Sequence, residues 1–391
     1  MIYLDYQATT PLAPEAFAAM EPWLKSGFAN PHSAHAPGRA AAAAVEVARE
    51  QVAALLPKGG RVIFTSGATE AINLAIKGSG CGSSVTALAT EHAAVLDCVE
   101  HLGGEVLPVD AGGLILPDTG RGTAPQSGGV EGHGAVGLTP MAQENRRVPL
   151  HHPTDGSPPR TGEDLFAFML ANNEIGTIQP VAPLAEQAHA QGVLFLCDAV
   201  QAFGRIPIPD GPDMIAISAH KIHGPKGIGA LWVRDGITLE PLMHGGGQEQ
   251  GLRSGTLSPA LCAGFGEAAK LAGERMEEDA THIEALWDRA VAAFSDWTIN
   301  GSTTHRYKGN LNIRRDGVDV ARLMSECRDI AFSAGSACAS GSGRPSHVLR
   351  AIGLTDAQAK SSIRLGFGRY TTVEEIDIAA ETINRAAEAM L

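Results

Sequence analysis

The stretch MIAISAHKIHGPKGIGALWV (residues 214–233) ends a short apolar run on Lys221, which has imidazoles nearby on both sides, and then enters a loop rich in glycine and proline. The run 214–218 fits a strand buried on both faces, and 228–233 fits its neighbour. A lysine released just past a buried strand needs either a partner for its charge or a use for its amine. Two other places carry comparable chemistry. In SGATEAINLAIKG (residues 66–78) a strand gives way through glycine and small residues to a helix, a turn whose free N–H groups and helix dipole suit an anion such as phosphate. In LFLCDAVQ, Asp198 closes a strongly apolar strand, where a carboxylate is costly unless paired, and Gln201 follows three residues on.

Taken singly, each has a plainer reading. The turn could be a cap with Ser66 or Thr69 as N-cap, Asp198 could cap the helix after it, and His92, which follows the apolar SVTALATEH, could be a satisfied core histidine. Together they are the three parts that pyridoxal phosphate requires: an amine for its aldehyde, a carboxylate for its ring nitrogen and a turn for its phosphate. His92 would add a flat ring to stack on the cofactor.

The elements that must hold these residues follow from periodicity. Residues 37–56, 68–78, 93–104 and 258–294 read as helices; 61–67, 84–92, 165–170, 193–200 and 214–220 read as strands. Strands alternating with helices imply βαβ units and a mostly parallel sheet. After about Gly247 the pattern shifts to a long helix and the strand-like LNIRRDG, DIAFSAGSAC and SIRLGFGRYTT. The expected division is a large cofactor-binding domain over 13–248 and a smaller α+β domain from 1–12 and 249–391. Residues 117–163, rich in Gly, Pro and Thr, show neither helical nor strand period and read as irregular, with His133, His151 and His152 as solvated loop residues. No acidic or cysteine partners stand at metal-ligand spacing there.

Composition narrows the class further. The chain has 391 residues, 44% hydrophobic and 19% charged, and a formal net charge of −13, which argues against a general nucleic-acid surface. No apolar run reaches about 20 residues, so no membrane span is expected, and the start shows no basic region followed by an apolar one. Six cysteines without CxxC spacing fit a reducing cytoplasm. Cys338 stands apart, in SAGSACASGSGRPS (residues 333–346), a run of small residues suited to a flexible tether.

Ten stretches in order, from LDYQATTP, ANPHSAH and FTSGATEAINLAIKG through TEHAAVLD, ANNEIGTIQP, CDAVQ and SAHKIHGPKGIGAL to HGGGQEQGLRSGT, SAGSACAS and SSIRLGFGRYTT, make the chain resemble the cysteine desulfurases of the NifS/IscS type, within the fold-type I enzymes that use pyridoxal phosphate. The resemblance implies a large domain with helices on both faces of a mostly parallel sheet plus a smaller α+β domain. It implies that Lys221 carries the cofactor, Asp198 faces the ring nitrogen, Asn173 and Gln201 reach the phenolic oxygen, and His92 stacks on the ring. Ala68, Thr69, Ser218 and His220 would hold the phosphate, and Thr256 would reach the phosphate of a second subunit, implying a homodimer. Arg364, with Asn173 and Asn30, would bind the substrate carboxylate. Lys226 receives no such role and reads as solvated or structural.

The fold alone leaves transamination, β-elimination and desulfuration open. Cys338 decides among them: its thiolate would take sulfur from L-cysteine, leaving L-alanine, and pass the persulfide to an acceptor or iron–sulfur scaffold protein. No metal site is implied, although Cys338 could contact a nascent iron–sulfur cluster. Selenocysteine lyase activity is the same chemistry on a heavier chalcogen. The length of the Cys loop resembles the NifS/IscS branch, while the chain ends about two dozen residues past Arg364, sooner than relatives that dock a scaffold through a longer tail.

Overall fold

The structure, a computed structural model, describes residues 1–116, 164–335 and 345–391. Seven strands form the main sheet: β1 (Gly60–Thr65), β2 (Val85–Leu88), β3 (Glu105–Leu107), β4 (Leu165–Met169), β5 (Leu194–Asp198), β6 (Met214–Ser218) and β7 (Gly229–Arg234). Their order is β1-β7-β6-β5-β4-β2-β3. Among the described residues β7 pairs antiparallel with both β1 and β6, while the remaining pairs, β6-β5, β5-β4, β4-β2 and β2-β3, are parallel. This is the mostly parallel sheet expected from the alternation of elements.

Alternation within each strand explains why the sheet is covered twice. Phe195 and Cys197 of β5, with Ile215 and Ile217 of β6, enter one core. Leu194, Leu196, Met214 and Ala216, one residue out of step, enter the core on the opposite face with the helices Ala68–Gly78 and Ala93–Leu102. Gly103, left-handed at φ 74°, ends the second helix as the sequence suggests.

A second, antiparallel sheet joins Ser333–Ala334, Ser362–Gly366, Asn310–Arg314 and Thr298–Ile299, and Ile2–Tyr3 pairs in parallel with Ile330–Ala331 nearby. The helix Pro259–Ala293, 35 residues long and N-capped by Ser258, belongs to both regions. Its first half puts Cys262, Phe265 and Ala269 into the large core, and its second half puts Ile283, Leu286 and Ala290 into the small one.

Two expectations change. The strand read over 84–92 stops at Leu88, because the Glu91 N–H turns back to the Leu88 carbonyl (3.0 Å) and His92 becomes the N-cap of the next helix. The strand read into DIAFSAGSAC divides at buried Phe332: Ile330–Ala331 bonds to the N-terminal strand, Ser333–Ala334 to Ser362–Gly366. Residues 117–163 and Cys338, both singled out above, lie outside the described residues.

Candidate active site

The ends of β1, β4, β5 and β6 surround a cavity of about 570 Å³, closed by the segment Gln7–Thr9 and by Arg364 of the second sheet. This is the crevice beyond the carboxyl ends of parallel strands where open α/β sheets bind ligands, and its size suits a small organic molecule.

Lys221 ends a short 3₁₀ turn directly after β6. Its Nζ donates to the carbonyls of Gln7 (2.5 Å) and Ala8 (2.9 Å). Burial, reinforced by Arg205 and Arg364, pulls the amine down to about 7, with Asp198 and Asp5 opposing. Asp198, 5% exposed at the end of β5, accepts from the Val200 N–H (3.0 Å), and no described side chain donates to it. Burial raises its proton affinity, while the Val200 N–H, His92 and Lys221 work the other way. His92 accepts the Ala94 N–H at Nδ1 (3.0 Å), so its proton sits on Nε2; burial disfavours the charged ring. It therefore caps a helix and lines the cavity at once.

At the β1 turn the helix N-cap is Gly67, not Ser66 or Thr69, and no side chain caps the first turn. The corner is braced from behind instead. Glu70 accepts the Ser66 N–H (2.7 Å) and pairs with Arg253 (2.7 Å); burial pushes its carboxyl up, but Arg253 and Ser66 together hold it below the usual range. Ala68, Thr69, Ser218 and His220 line the cavity beside these uncapped amides. His220 is pushed down to about 4, chiefly by burial and then by Lys221, so it is a neutral ring bonded to the Thr9 hydroxyl (3.2 Å).

Arg364 is 1% exposed. It reaches the cavity from the strand Ser362–Gly366, donating to Asp5 (2.7 Å), Ser333 (3.2 Å) and the Asn173 carbonyl (3.0 Å); its Nε has no partner among the described residues. Asn173 and Gln201 line the same space, and Gln201 donates to the Gln7 carbonyl (3.0 Å). Asn30 and Thr256 do not line it. Both are exposed, and Asn30 accepts the His32 N–H (2.8 Å) in the loop before its helix.

Several lining residues escaped the sequence reading. Lys226, taken as solvated or structural, borders the cavity with Gly227. Gln7 supplies one carbonyl to both Lys221 and Gln201, and Asp5 pairs with Arg364. The stretch LDYQATTP marked the place, but nothing in its residue types announced main-chain acceptors.

These groups fit pyridoxal phosphate. A buried carboxyl to which no described side chain donates suits a ring N–H⁺, an uncapped helix start suits a phosphate, and an amine that gives up its proton near neutral pH suits an aldehyde. Fold and cavity together define a pyridoxal-phosphate enzyme of fold-type I.

Comparison with known proteins gives the same class and refines it. Residues 2–120 and 158–378 match the family model "Aminotransferase class-V". The cysteine desulfurase IscS of Rickettsia rickettsii is 40% identical over 98% of this chain and 90% of its own length. Among solved structures, a NifS-like protein from Rickettsia africae superposes with a TM-score of 0.81 at 27% identity, covering 99% of both chains. SspA in complex with cysteine superposes with a TM-score of 0.74 at 32% identity, covering 95% of this chain and all of its own. The chain belongs to the class-V aminotransferase family.

Proposed function

We propose that this enzyme is a cysteine desulfurase that removes sulfur from L-cysteine, releases L-alanine and holds the sulfur as a persulfide on Cys338. The observation that carries the reading is convergence: Lys221, Asp198, His92, the β1 turn and Arg364, drawn from five separate segments, line one cavity. The relatives named cysteine desulfurase, and a neighbour solved with cysteine, support the choice of substrate.

Pyridoxal phosphate, when bound, supplies an aldehyde for the substrate amine and a ring that draws electrons from the α-carbon. Asp198 would face the ring nitrogen, His92 the ring, and Asn173 and Gln201 the phenolic oxygen. Ala68, Thr69, Ser218 and His220 would hold the phosphate. Arg364, whose guanidinium is already aligned by Asp5 and the Asn173 carbonyl, would take the substrate carboxylate with Asn173. Lys221, its amine pulled down to about 7, can accept the α-proton because at neutral pH and above a large share of it carries a free lone pair. The Cys338 thiolate attacks the substrate sulfur: an S–S bond forms, the Cβ–S bond breaks, and its electron pair stays with carbon, which is protonated to give alanine.

The division into 13–248 and 1–12 with 249–391, and a homodimer, belong to this reading. Thr256 is exposed and away from its own chain's cavity, as a residue serving a second subunit would be. The sulfur would leave to an acceptor such as an iron–sulfur scaffold, and the protein would work in the cytoplasm; among the described residues no helix is long and apolar enough to cross a membrane.

The test is to supply the holoenzyme with L-cysteine and a thiol reductant and quantify sulfide and alanine together. Equal amounts are expected, and Cys338→Ala should lose both. Pyruvate and ammonia in place of alanine would replace desulfuration with β-elimination.

A further inference from the structure

Arg205 follows β5 in the segment QAFGRIP and is not among the residues lining the cavity. Nevertheless it touches two of its members. Nη1 donates to Gln201 Oε1 (2.6 Å), and Nη2 donates to the Lys221 carbonyl (2.6 Å) and the Tyr6 carbonyl (3.3 Å). The guanidinium also lies 5.5 Å over the Tyr307 ring. None of these partners is negative. Asp279 borders the same small space behind Lys221, but it is bridged to Arg369 at 2.7 Å. The charge on Arg205 is thus solvated by neutral groups.

We propose that Arg205 is a positioning residue of the active site, turning the Gln201 amide so that its NH₂ faces the cavity and fixing a positive charge directly behind Lys221. The first half follows from donor chemistry. A guanidinium only donates, so the Gln201 atom against it has to be the carbonyl oxygen, and the nitrogen is turned away. One amide hydrogen goes to the Gln7 carbonyl, which leaves the other for an acceptor in the cavity. This half rests on the cofactor reading above; the second half does not. Behind Lys221, Arg205 is one of the two positive groups that depress the amine, Arg364 being the other, after burial itself. The other charged or titratable neighbours are Asp198 and Asp5, which favour the cation, His92, His220 and Lys226, which share the cavity wall, and Tyr6, His223, Tyr307, Asp279 and Arg369 around the small space behind Lys221.

The experiment uses the apoprotein first. Lys221 is reductively methylated with formaldehyde and cyanoborohydride across neutral and alkaline pH, and its modified peptide is quantified by mass spectrometry. Half-maximal reactivity is expected at about 7 in the wild type. Arg205→Gln should move it upward by about one unit, the effect of removing a nearby like charge. Arg205→Lys keeps the charge but not the fork, so the titration stays in place while pyridoxal phosphate binds about ten-fold more weakly. An Arg205→Gln profile superimposed on the wild type would overturn the proposal. So would a wild-type Lys221 that reacts as an ordinary surface lysine, a result that needs no variant to fold. A wild type that takes up no pyridoxal phosphate would sink the cofactor reading instead, with the apoprotein titration still legible.

Discussion

Gly229 opens β7 between two strands, opposite Thr65 on one side and Ser218 on the other. Replacing it with alanine tests how closely the sheet is packed beneath the cavity. A methyl group there would meet the Ile217 carbonyl oxygen at 2.6 Å and the carbonyl carbon and Cα of Gly67 at 2.7 and 2.8 Å. All three are backbone atoms, so no side chain can swing aside. Overpacking of this kind costs about 1–3 kcal/mol. Part of it is relieved by pushing Gly67, the N-cap of the helix Ala68–Gly78, out of place. Gly229→Ala should therefore melt a few degrees lower and bind pyridoxal phosphate about ten-fold more weakly, a loss of about 1.4 kcal/mol. The control is Gly236→Ala just past the other end of β7, where φ is +87° but nothing lies within 4 Å of the new methyl. It should cost about 1–2 kcal/mol through backbone strain alone and leave the cofactor affinity untouched. Thermal unfolding of the apoprotein and a cofactor titration by absorbance read both quantities. Equal affinity losses in the two variants, or wild-type affinity in Gly229→Ala, would refute the argument.

The depressed Lys221 amine also makes stability depend on pH. Its folded value of about 7 lies below the ordinary 10.5, so between the two the unfolded chain holds more protons and apoprotein stability rises with pH. Apo Lys221→Met should melt above the wild-type apoprotein at neutral pH, with the gap closing as pH climbs toward 10.5; a gap constant with pH would contradict this. Glu249, 8% exposed, pairs with Arg49 (2.7 Å) and accepts the Phe64 N–H (2.7 Å). Glu249→Ala strips both and should cost about 3 kcal/mol in chemical denaturation, with Glu249→Gln recovering the part due to Phe64. Phe265, fully buried where the long helix meets the large core, should lose about 3–5 kcal/mol as Phe265→Ala without a change in the lysine titration.

Most of the sheet was legible because its strands are apolar on both faces and its helices carry clear stops, as at Gly103. The strand-end positions of Asp198 and Lys221 were legible for the same reason: a charged residue closing an apolar run must sit where the strand leaves the sheet. What stayed hidden depends on long-range or main-chain contact. Arg49 and Glu249 are 200 positions apart, and Arg205 sits in a segment whose pattern gives no hint that it reaches Gln201 and Lys221. The acceptors for the Lys221 amine are carbonyls, which every residue owns. The N-cap at Gly67 goes against the plainer reading of a Ser66 or Thr69 cap, since a side chain spent on capping would have closed the amides to a ligand.

The helix Pro259–Ala293 has a consequence for any attempt to divide the molecule. A fragment ending before it would keep Lys221, Asp198 and the β1 turn, yet leave Phe64 and Phe203 without Phe265, the aromatic ring they pack against. A fragment starting with it would carry Arg364 and an apolar surface with no sheet to cover. The candidate active site is therefore not a portable module. Whatever shortens or splices this chain has to carry that helix intact, or it forfeits both halves at once.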